Sequence, residues 1–431
     1  MSRTIAIIGL GYVGLPLAAA FLEKQYSVIG IDLDQDKIRS LKRGQSYIAD
    51  VADEVIENAV QQGRLSVSND FSNIKSAECI IICVPTPLTK EHVPDLSFLT
   101  DAAKSLKDHL QPGQLVTLES STYPGTTREV LLPLLEQSGL TTGKNLFIGF
   151  SPERVDPGNE EFPLTGIPKI VSGVTENCAN RTEQLYQTVF SKVIKVSSTD
   201  TAEMTKLLEN TFRFVNISFI NEFAVLCDKL NINVWEVVEA ASSKPFGYTA
   251  FYPGPGIGGH CIPVDPHYLQ WKTQQIGGSS SFIELSSRIN ESMPAYVLSK
   301  VKEAIGHDEL KGRRILVLGV TFKKNVADVR GSSSIELIRL LVREGAKVLY
   351  YDPYIKELDI EGVALQSTQA SESEFRLADC VIIATDHREL PLLEVLEYSR
   401  LVFDTRNATA GLAGKAKVIV LGGGRIDRAQ E

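Results

Sequence analysis

The chain has no C-x-x-C pair, and its six cysteines lie far apart, so neither a disulfide framework nor a zinc site is expected. It has no excess of positive charge. Its 44 Lys and Arg against 53 Asp and Glu leave a net charge of -9, which argues against a nucleic-acid partner. Any phosphate must then be met by local Lys, Arg and backbone N–H groups, which favours a small anionic ligand. Long unbroken apolar runs are missing too. The N-terminal MSRTIAIIGLGYVGLPLAAAFL is interrupted by glycines and Pro16 and has no small-residue cleavage site, so it reads as neither export signal nor membrane span. A cytoplasmic location without a membrane partner is expected. No short-period repeat or low-complexity tract occurs, and GGSSSF, residues 277–282, reads as a short flexible loop.

What is present begins with size: 431 residues, 43% of them hydrophobic, can bury ample core in roughly two or three domains. In TIAIIGLGYVGLPLAAAFLEKQYSVIGIDLD, apolar runs at Ile5 to Ile8 and Val28 to Ile31 flank a glycine turn and a helical stretch, giving a βαβ unit. Gly9, Gly11 and Gly14 have G-x-G-x-x-G spacing, and Asp32 closes the next strand about 20 residues on. Gly9 permits the tight turn, Gly11 lets a pyrophosphate approach the backbone, and Gly14 lets the helix lie close to its strand. A carboxylate at Asp32 suits ribose hydroxyls and repels a 2′-phosphate, which selects NAD over NADP.

Further strands are expected at AECIIICVPTP, QLVTLESST and LFIGFSPE, each ending in polar residues, and that edge of an open α/β sheet binds ligands. Thr86, Thr122 and Glu153 are candidates by position, although turn chemistry beside Pro85, Pro124 and Pro152 also explains such residues. From Thr201 to Leu230 the chain runs without Gly or Pro at helical spacing, a long helix that joins two lobes or forms an oligomer seam. Lys206 and Asn210, four apart, share one face of it; a solvated face is the plainer reading. Near residue 312 a second strand, loop, helix, strand pattern starts, continuing through ADCVIIATDH, RLVFDTR and AKVIVLGG. Only Gly319 remains of its phosphate glycines, so its Lys323, Lys324, Arg330 and Arg406 serve some anion other than a second dinucleotide. GGHCIPVDPHYL, residues 258–269, bends tightly around Cys261, whereas an inert core cysteine would have apolar neighbours and regular structure.

The blocks GLGYVGLPLA, VPTP, SSTYPGT, SPER, KLLENTFRFVNISFINE, PGPGIGGHCIPVDP and GVTFKKNVADVRGSSS, in this order, resemble the UDP-glucose/GDP-mannose dehydrogenase family of nucleotide-sugar 6-dehydrogenases over essentially the whole chain. The resemblance implies an α/β protein of two doubly wound Rossmann-like domains joined by a long central helix. It places an NAD domain at 1–200, a helical dimerisation and active-site segment at 201–300, and a nucleotide-sugar domain at 301–431. It implies a UDP-sugar substrate, NAD as cofactor and a homodimer through the central helix.

The family oxidises the sugar C6 alcohol to a carboxylate with two NAD+ in succession, through a cysteine thiohemiacetal and thioester. Cys261 matches that nucleophile, with its thiol pKa lowered by a helix starting near Asp265. Lys206 and Asn210 match the groups that hold the C6 oxyanion, Asp265 and Thr122 those that position a water, and Glu153 the glutamate of thioester hydrolysis. Gly258 and Gly259 are expected to clear space for the sugar C6. Glu153, Arg154, Lys206, Asn210, Phe251, Tyr252, Gly254, Gly258, Lys323 and Arg406 match substrate contacts. Gly9, Gly11, Tyr12, Val13, Gly14, Asp32, Lys37, Thr86, Thr122 and Arg330 match cofactor contacts.

Two departures count against glucose as the sugar. Some UDP-glucose-specific relatives carry a second glutamate where this chain has Pro157, and an arginine ahead of the glycine-cysteine block where KPFGYTAFYPGPG has none. The glycine-cysteine block is more similar to the branch that oxidises UDP-N-acetylhexosamines for surface polysaccharides, with UDP-N-acetylglucosamine preferred over UDP-N-acetylmannosamine. Two other readings stay open: a two-electron NAD-dependent hydroxyacid dehydrogenase, which leaves Cys261 without a role, and a non-catalytic NAD-binding protein.

Overall fold

A computed structural model describes residues 3–48, 50–89, 91–155, 161–306 and 309–424. The chain divides into two compact units, Met1–Glu209 with His267–Ser279, and Asn210–Pro266 with Ser280–Glu431. Residues 201–300 thus contribute to both.

The first unit is built on eight strands: β1 (Thr4–Ile8), β2 (Ser27–Ile31), β3 (Leu65–Ser68), β4 (Cys79–Ile82), β5 (Leu115–Leu118), β6 (Phe147–Phe150), β7 (Lys169–Gly173) and β8 (Val193–Lys195). Their order is β3-β2-β1-β4-β5-β6-β7-β8. The first six run parallel, and β7 pairs antiparallel with β6. Helices α1 (Gly14–Glu23), α2 (Gln35–Lys42), α3 (Asp53–Gln61), α4 (Ser97–Lys107), α5 (Leu132–Glu136) and α6 (Glu176–Tyr186) connect them. The strands are apolar throughout because both faces are covered. Ile5, Ile7 and Val28 pack with Leu15 and Phe21 of α1, while Ala6, Ile8 and Ile80 pack on the other face with Leu99 and Leu106 of α4. Strand order reverses between β1 and β4, so the crevice beyond their carboxyl ends is the expected ligand edge.

Helix α7 (Thr199–Leu230) is the long element legible in the sequence, followed by α8 (Val234–Ser242), α9 (Asp265–Gln275) and α10 (Ser281–Ile305). The second sheet has the order β10-β9-β13-β14-β15, all parallel: β9 (Arg314–Leu318), β10 (Lys347–Tyr351), β13 (Cys380–Ile383), β14 (Leu401–Asp404) and β15 (Lys417–Val420). A hairpin of β11 (Glu357–Ile360) and β12 (Val363–Gln366) follows β10. Helices α11 (Ser333–Arg343), α12 (Glu372–Leu377) and α13 (Leu392–Tyr398) complete this doubly wound unit. Its switch point, between β9 and β13, gathers the loops that carry Lys323 and His387. No helix among the described residues is long and apolar enough to cross a membrane.

Candidate active site

In the first unit the three loop glycines have separate physical reasons. Gly9 has φ +89°, and a Cβ there would lie 2.7 Å from the Cys83 carbonyl oxygen. On Gly14 a Cβ would lie 1.9 Å from the Gly9 oxygen, so helix and loop touch backbone to backbone. At Gly11 nothing lies within 4 Å of the added atom. That open position at the start of α1 fits the approach of a pyrophosphate.

Asp32, at the tip of β2, accepts from the Leu10 N–H at 2.8 Å and the Asp34 N–H at 2.9 Å, with Lys37 Nζ 3.4 Å away. Its carboxylate is thereby fixed beside the glycine loop, and Tyr47 donates to the Leu10 oxygen at 2.5 Å from the other side. Tyr12 is exposed, and Val13 accepts from Leu17 N as α1 starts. Thr86 donates to the Ser121 oxygen at 2.7 Å, tying the ends of β4 and β5 together.

Thr122 is buried, and its Oγ1 has no hydrogen-bond partner among the described residues. Glu153 Oε1 accepts from the Arg154 and Val155 N–H groups, and Oε2 lies 3.6 Å from Lys169 Nζ. Burial alone would push the Glu153 carboxyl up, but Lys169, the Val155 N–H and Lys206 together hold it below the usual glutamate value. Arg154 pairs with Glu209 of α7 at 2.6 Å and donates to the Pro168 oxygen. Lys206 is half-buried on α7. Pro157 lies outside the described residues.

In the second unit α9 begins at Asp265, and the Asp265 and Val264 N–H groups both donate to the Cys261 carbonyl oxygen, at 2.9 and 3.1 Å. Cys261 therefore sits one turn ahead of the helix. It is half-buried, whereas Cys83, Cys178, Cys227 and Cys380 are buried. Asp265 is buried and accepts from Asn210 Nδ2 at 2.5 Å.

The glycine pair ahead of the cysteine has a reason the sequence did not show. A Cβ on Gly258 would lie 2.7 Å from Phe322 Cβ, and one on Gly259, at φ +93°, 2.9 Å from the Phe322 ring. A side chain on either glycine would collide with Phe322, so these glycines serve close packing against the loop that follows β9. The Gly259 N–H donates to the Arg330 oxygen at 3.0 Å, locking the two loops together. The Arg330 guanidinium is paired with Asp328 at 2.6 Å.

Upstream, a Cβ on Gly254 would meet Arg406 Nη1 at 2.4 Å, and its N–H donates to Asn221 at 2.9 Å. Arg406 follows β14 and donates through Nε to the Ala384 oxygen. Burial lowers its guanidinium pKa although Asp386 and Asp404 oppose this, so it gains from an added anion. Phe251 packs edge-on to Phe212, Tyr252 stacks on Trp235, and Lys323 is half-buried with its oxygen held by Thr321 Oγ1.

Sequence reasoning missed Glu119, Lys169 and Tyr186, which form a buried charged network behind Glu153, and Glu203, which is buried against the Gly125 and Thr127 N–H groups. A lysine opening the apolar strand PKIVSG, and a glutamate at the end of LVTLE, were the available signals.

A glycine loop opening a helix beside a strand-end aspartate defines an NAD-binding oxidoreductase domain. Three family models cover the chain in order: the NAD binding domain of the UDP-glucose/GDP-mannose dehydrogenase family at residues 3–190, its central domain at 200–292 and its UDP binding domain at 316–411. The chain belongs to this family. It is 38% identical over 396 residues to Protein CapL of Staphylococcus aureus, covering 90% of this chain and 91% of that one. It is 37% identical over 392 residues to the UDP-N-acetyl-D-glucosamine 6-dehydrogenase of Salmonella typhi, covering 89% and 90%. Its fold matches the solved UDP-D-ManNAc dehydrogenase of Pyrococcus horikoshii with TM-score 0.88 and 32% identity, over 98% of this chain and all (100%) of that one.

Proposed function

We propose that the protein oxidises the C6 alcohol of a UDP-N-acetylhexosamine, UDP-N-acetylglucosamine first, to the uronic acid. The observation that carries this reading is the Cys261–Asp265 turn, in which a half-buried cysteine precedes a helix whose first residue is a buried, Asn210-bound carboxylate. The names of the Salmonella and Pyrococcus relatives support the hexosamine class.

The Gly9–Gly14 loop and Asp32 would hold NAD, which when bound would supply hydride acceptance at C6, twice in succession. Lys206 stabilises the alkoxide that forms when O6 loses its proton. The Cys261 thiolate, favoured by the α9 N-terminus, adds to the aldehyde carbon. After the second hydride has left, C6 is a thioester on Cys261; Glu153 activates the water that cleaves it, releasing the carboxylate and restoring the thiol. Thr122 and Asp265 hold that water, and Lys323, Arg406 and the 251–258 loop hold the nucleotide diphosphate.

The test is NADH released per limiting sugar, with UDP-N-acetylglucosamine, UDP-N-acetylmannosamine, UDP-glucose and GDP-mannose side by side. A ratio of about two with the first is expected; a ratio of about one would point to the hydroxyacid-type reaction, and none to a non-catalytic protein. Cys261→Ser should lose carboxylate production while NAD binding survives.

The exposed apolar residues Met204, Leu208, Phe212, Phe219, Leu226 and Leu230 of α7 support a homodimer through this helix. Light scattering of Leu208→Glu/Phe219→Glu should show a monomer where the parent is a dimer.

A further inference from the structure

The first unit encloses a charged network to which the chemistry above gives no role. Lys169 Nζ donates to Glu119 Oε2 at 2.7 Å and to the Pro152 oxygen at 3.4 Å, and lies 3.6 Å from Glu153 Oε2. Tyr186 donates its hydroxyl to the other Glu119 oxygen. The lysine ammonium also lies 5.3 Å from the ring centres of both Tyr186 and Phe190, within cation–π range. Glu119, Lys169 and Tyr186 are all buried.

Topology explains how a lysine comes to this place. Glu119 follows β5 and Glu153 follows β6, so both carboxylates stand at the ligand edge of the parallel strands. Strand β7 runs antiparallel to β6, so its first residue, Lys169, arrives at that same edge. Tyr186, the last residue of α6, closes the enclosure.

One cation thus faces two carboxylates in a low-dielectric space and acts on both. Their other surroundings differ. Glu153 also receives two backbone N–H groups and the field of Lys206, and is held below its ordinary pKa; burial pushes Glu119 up to about 7 although Lys169 and Tyr186 oppose this.

We propose that Lys169, clamped by Glu119 and Tyr186, is a positioning residue for Glu153: it fixes the Oε2 side of that carboxylate and keeps it ionised for hydrolysis of the C6 thioester. This rests on the reading of Glu153 as the hydrolytic base. Glu119 holds the lysine in place.

The experiment is the pH profile of steady-state NADH production by the full-length enzyme at saturating UDP-N-acetylhexosamine and NAD. Lys169→Met should move the acid limb up by about one pH unit, an approximately tenfold loss of rate on that side. Lys169→Arg should restore it. Glu119→Gln should leave the limb close to the parent's, because burial pushes Glu119 up to about 7 and its carboxyl is already neutral where Glu153 titrates. Its amide keeps an oxygen for Lys169 and an N–H for the Tyr186 oxygen, so the enclosure stays filled. KM for NAD should not change in any of them.

A purely structural network would lower rates without moving the limb. If Lys169→Met leaves the limb in place, or Lys169→Arg fails to restore it, the proposal fails. If Lys169→Met does not fold, Lys169→Gln decides by the same shift. Glu153→Gln separates this from the reading beneath it: a variant that keeps the wild-type limb and rate removes Glu153 as the base. Loss of the limb there, with no shift in the other variants, overturns only the role of Lys169.

Discussion

Asn210 donates its side-chain amide to Asp265 Oδ2 at 2.5 Å, and both side chains are buried. The pair joins α7 to the first residue of α9, one turn after Cys261. At least one amide hydrogen of Asn210 is thus committed to a protein carboxylate. Asn210→Ala leaves Oδ2 without that donor and should cost about 1–3 kcal/mol of stability, read as a lower urea midpoint at unchanged slope. Asn210→Asp places two carboxylates face to face and should lose more. A midpoint unchanged by either substitution would show that the pair contributes nothing to the fold.

The glycine loop separates fold from cofactor binding. Gly14→Ala drives a methyl group to 1.9 Å from the Gly9 oxygen and should destabilise the first unit by about 1–3 kcal/mol. Gly11→Ala adds its methyl group to open space, so stability should stay within about 0.5 kcal/mol of the parent. NAD affinity should nevertheless fall about tenfold, about 1.4 kcal/mol. Thermal melts and NAD titration of the two variants check both halves; an intact affinity in Gly11→Ala would place the pyrophosphate elsewhere.

The sequence patterns that proved legible were those with strong periodicity. The apolar strands ending at Ile8, Ile31 and Ile82, and α7, follow from runs that only two-sided burial or a long helix explains. β7 was not legible, because nothing local in KIVSG tells antiparallel from parallel, and Lys169 at its head has meaning only once its direction is known. Gly258 and Gly259 show the opposite limit. Their flexibility was plain from sequence, but the neighbour that requires it, Phe322, lies some sixty residues on and had no link to them in the sequence. Asp265 and Asn210 can each be picked out by resemblance, but nothing in the sequence links positions 210 and 265 as a hydrogen-bonded pair.

Glu203 gives a pH dependence whose sign is fixed. Burial pushes its carboxyl up to about 7, against donors from Thr127 and Gly125. Between its ordinary value and about 7 the folded state therefore holds a proton that the unfolded chain has released. Its stabilising effect is complete in acid and is lost as pH rises through that window, on the order of 3 kcal/mol in all. Burial lowers His267 to about 4, which acts in the opposite direction as pH rises towards 6.5. The readout is therefore the difference between parent and Glu203→Gln, which has no charge to titrate. The parent should lose Tm relative to the variant from pH 5 to 7.5, and parallel Tm curves would refute the shift.

His387 holds the corner that carries Lys323. The Asn325 N–H donates to its Nδ1 at 2.9 Å, so Nδ1 is the acceptor and the ring proton belongs on Nε2, which faces Asp352 at 3.1 Å and Thr321 at 3.2 Å. Burial would push Asp352 up, but His387 and the Val320 and Tyr354 N–H groups hold it below the usual aspartate value. Asn325 is at φ +59° and accepts from the Arg388 N–H through its side chain, so two bonds keep an unfavourable turn in place. His387→Ala removes the acceptor for Asn325 and a donor for Asp352, and should let the 323–325 corner relax. KM for the nucleotide sugar should then rise about tenfold, equivalent to about 1.4 kcal/mol of binding, while KM for NAD is unchanged, since the glycine loop belongs to the other compact unit. Equal rises in both constants would mean general loosening, and no rise in either would mean that Lys323 does not contact the substrate.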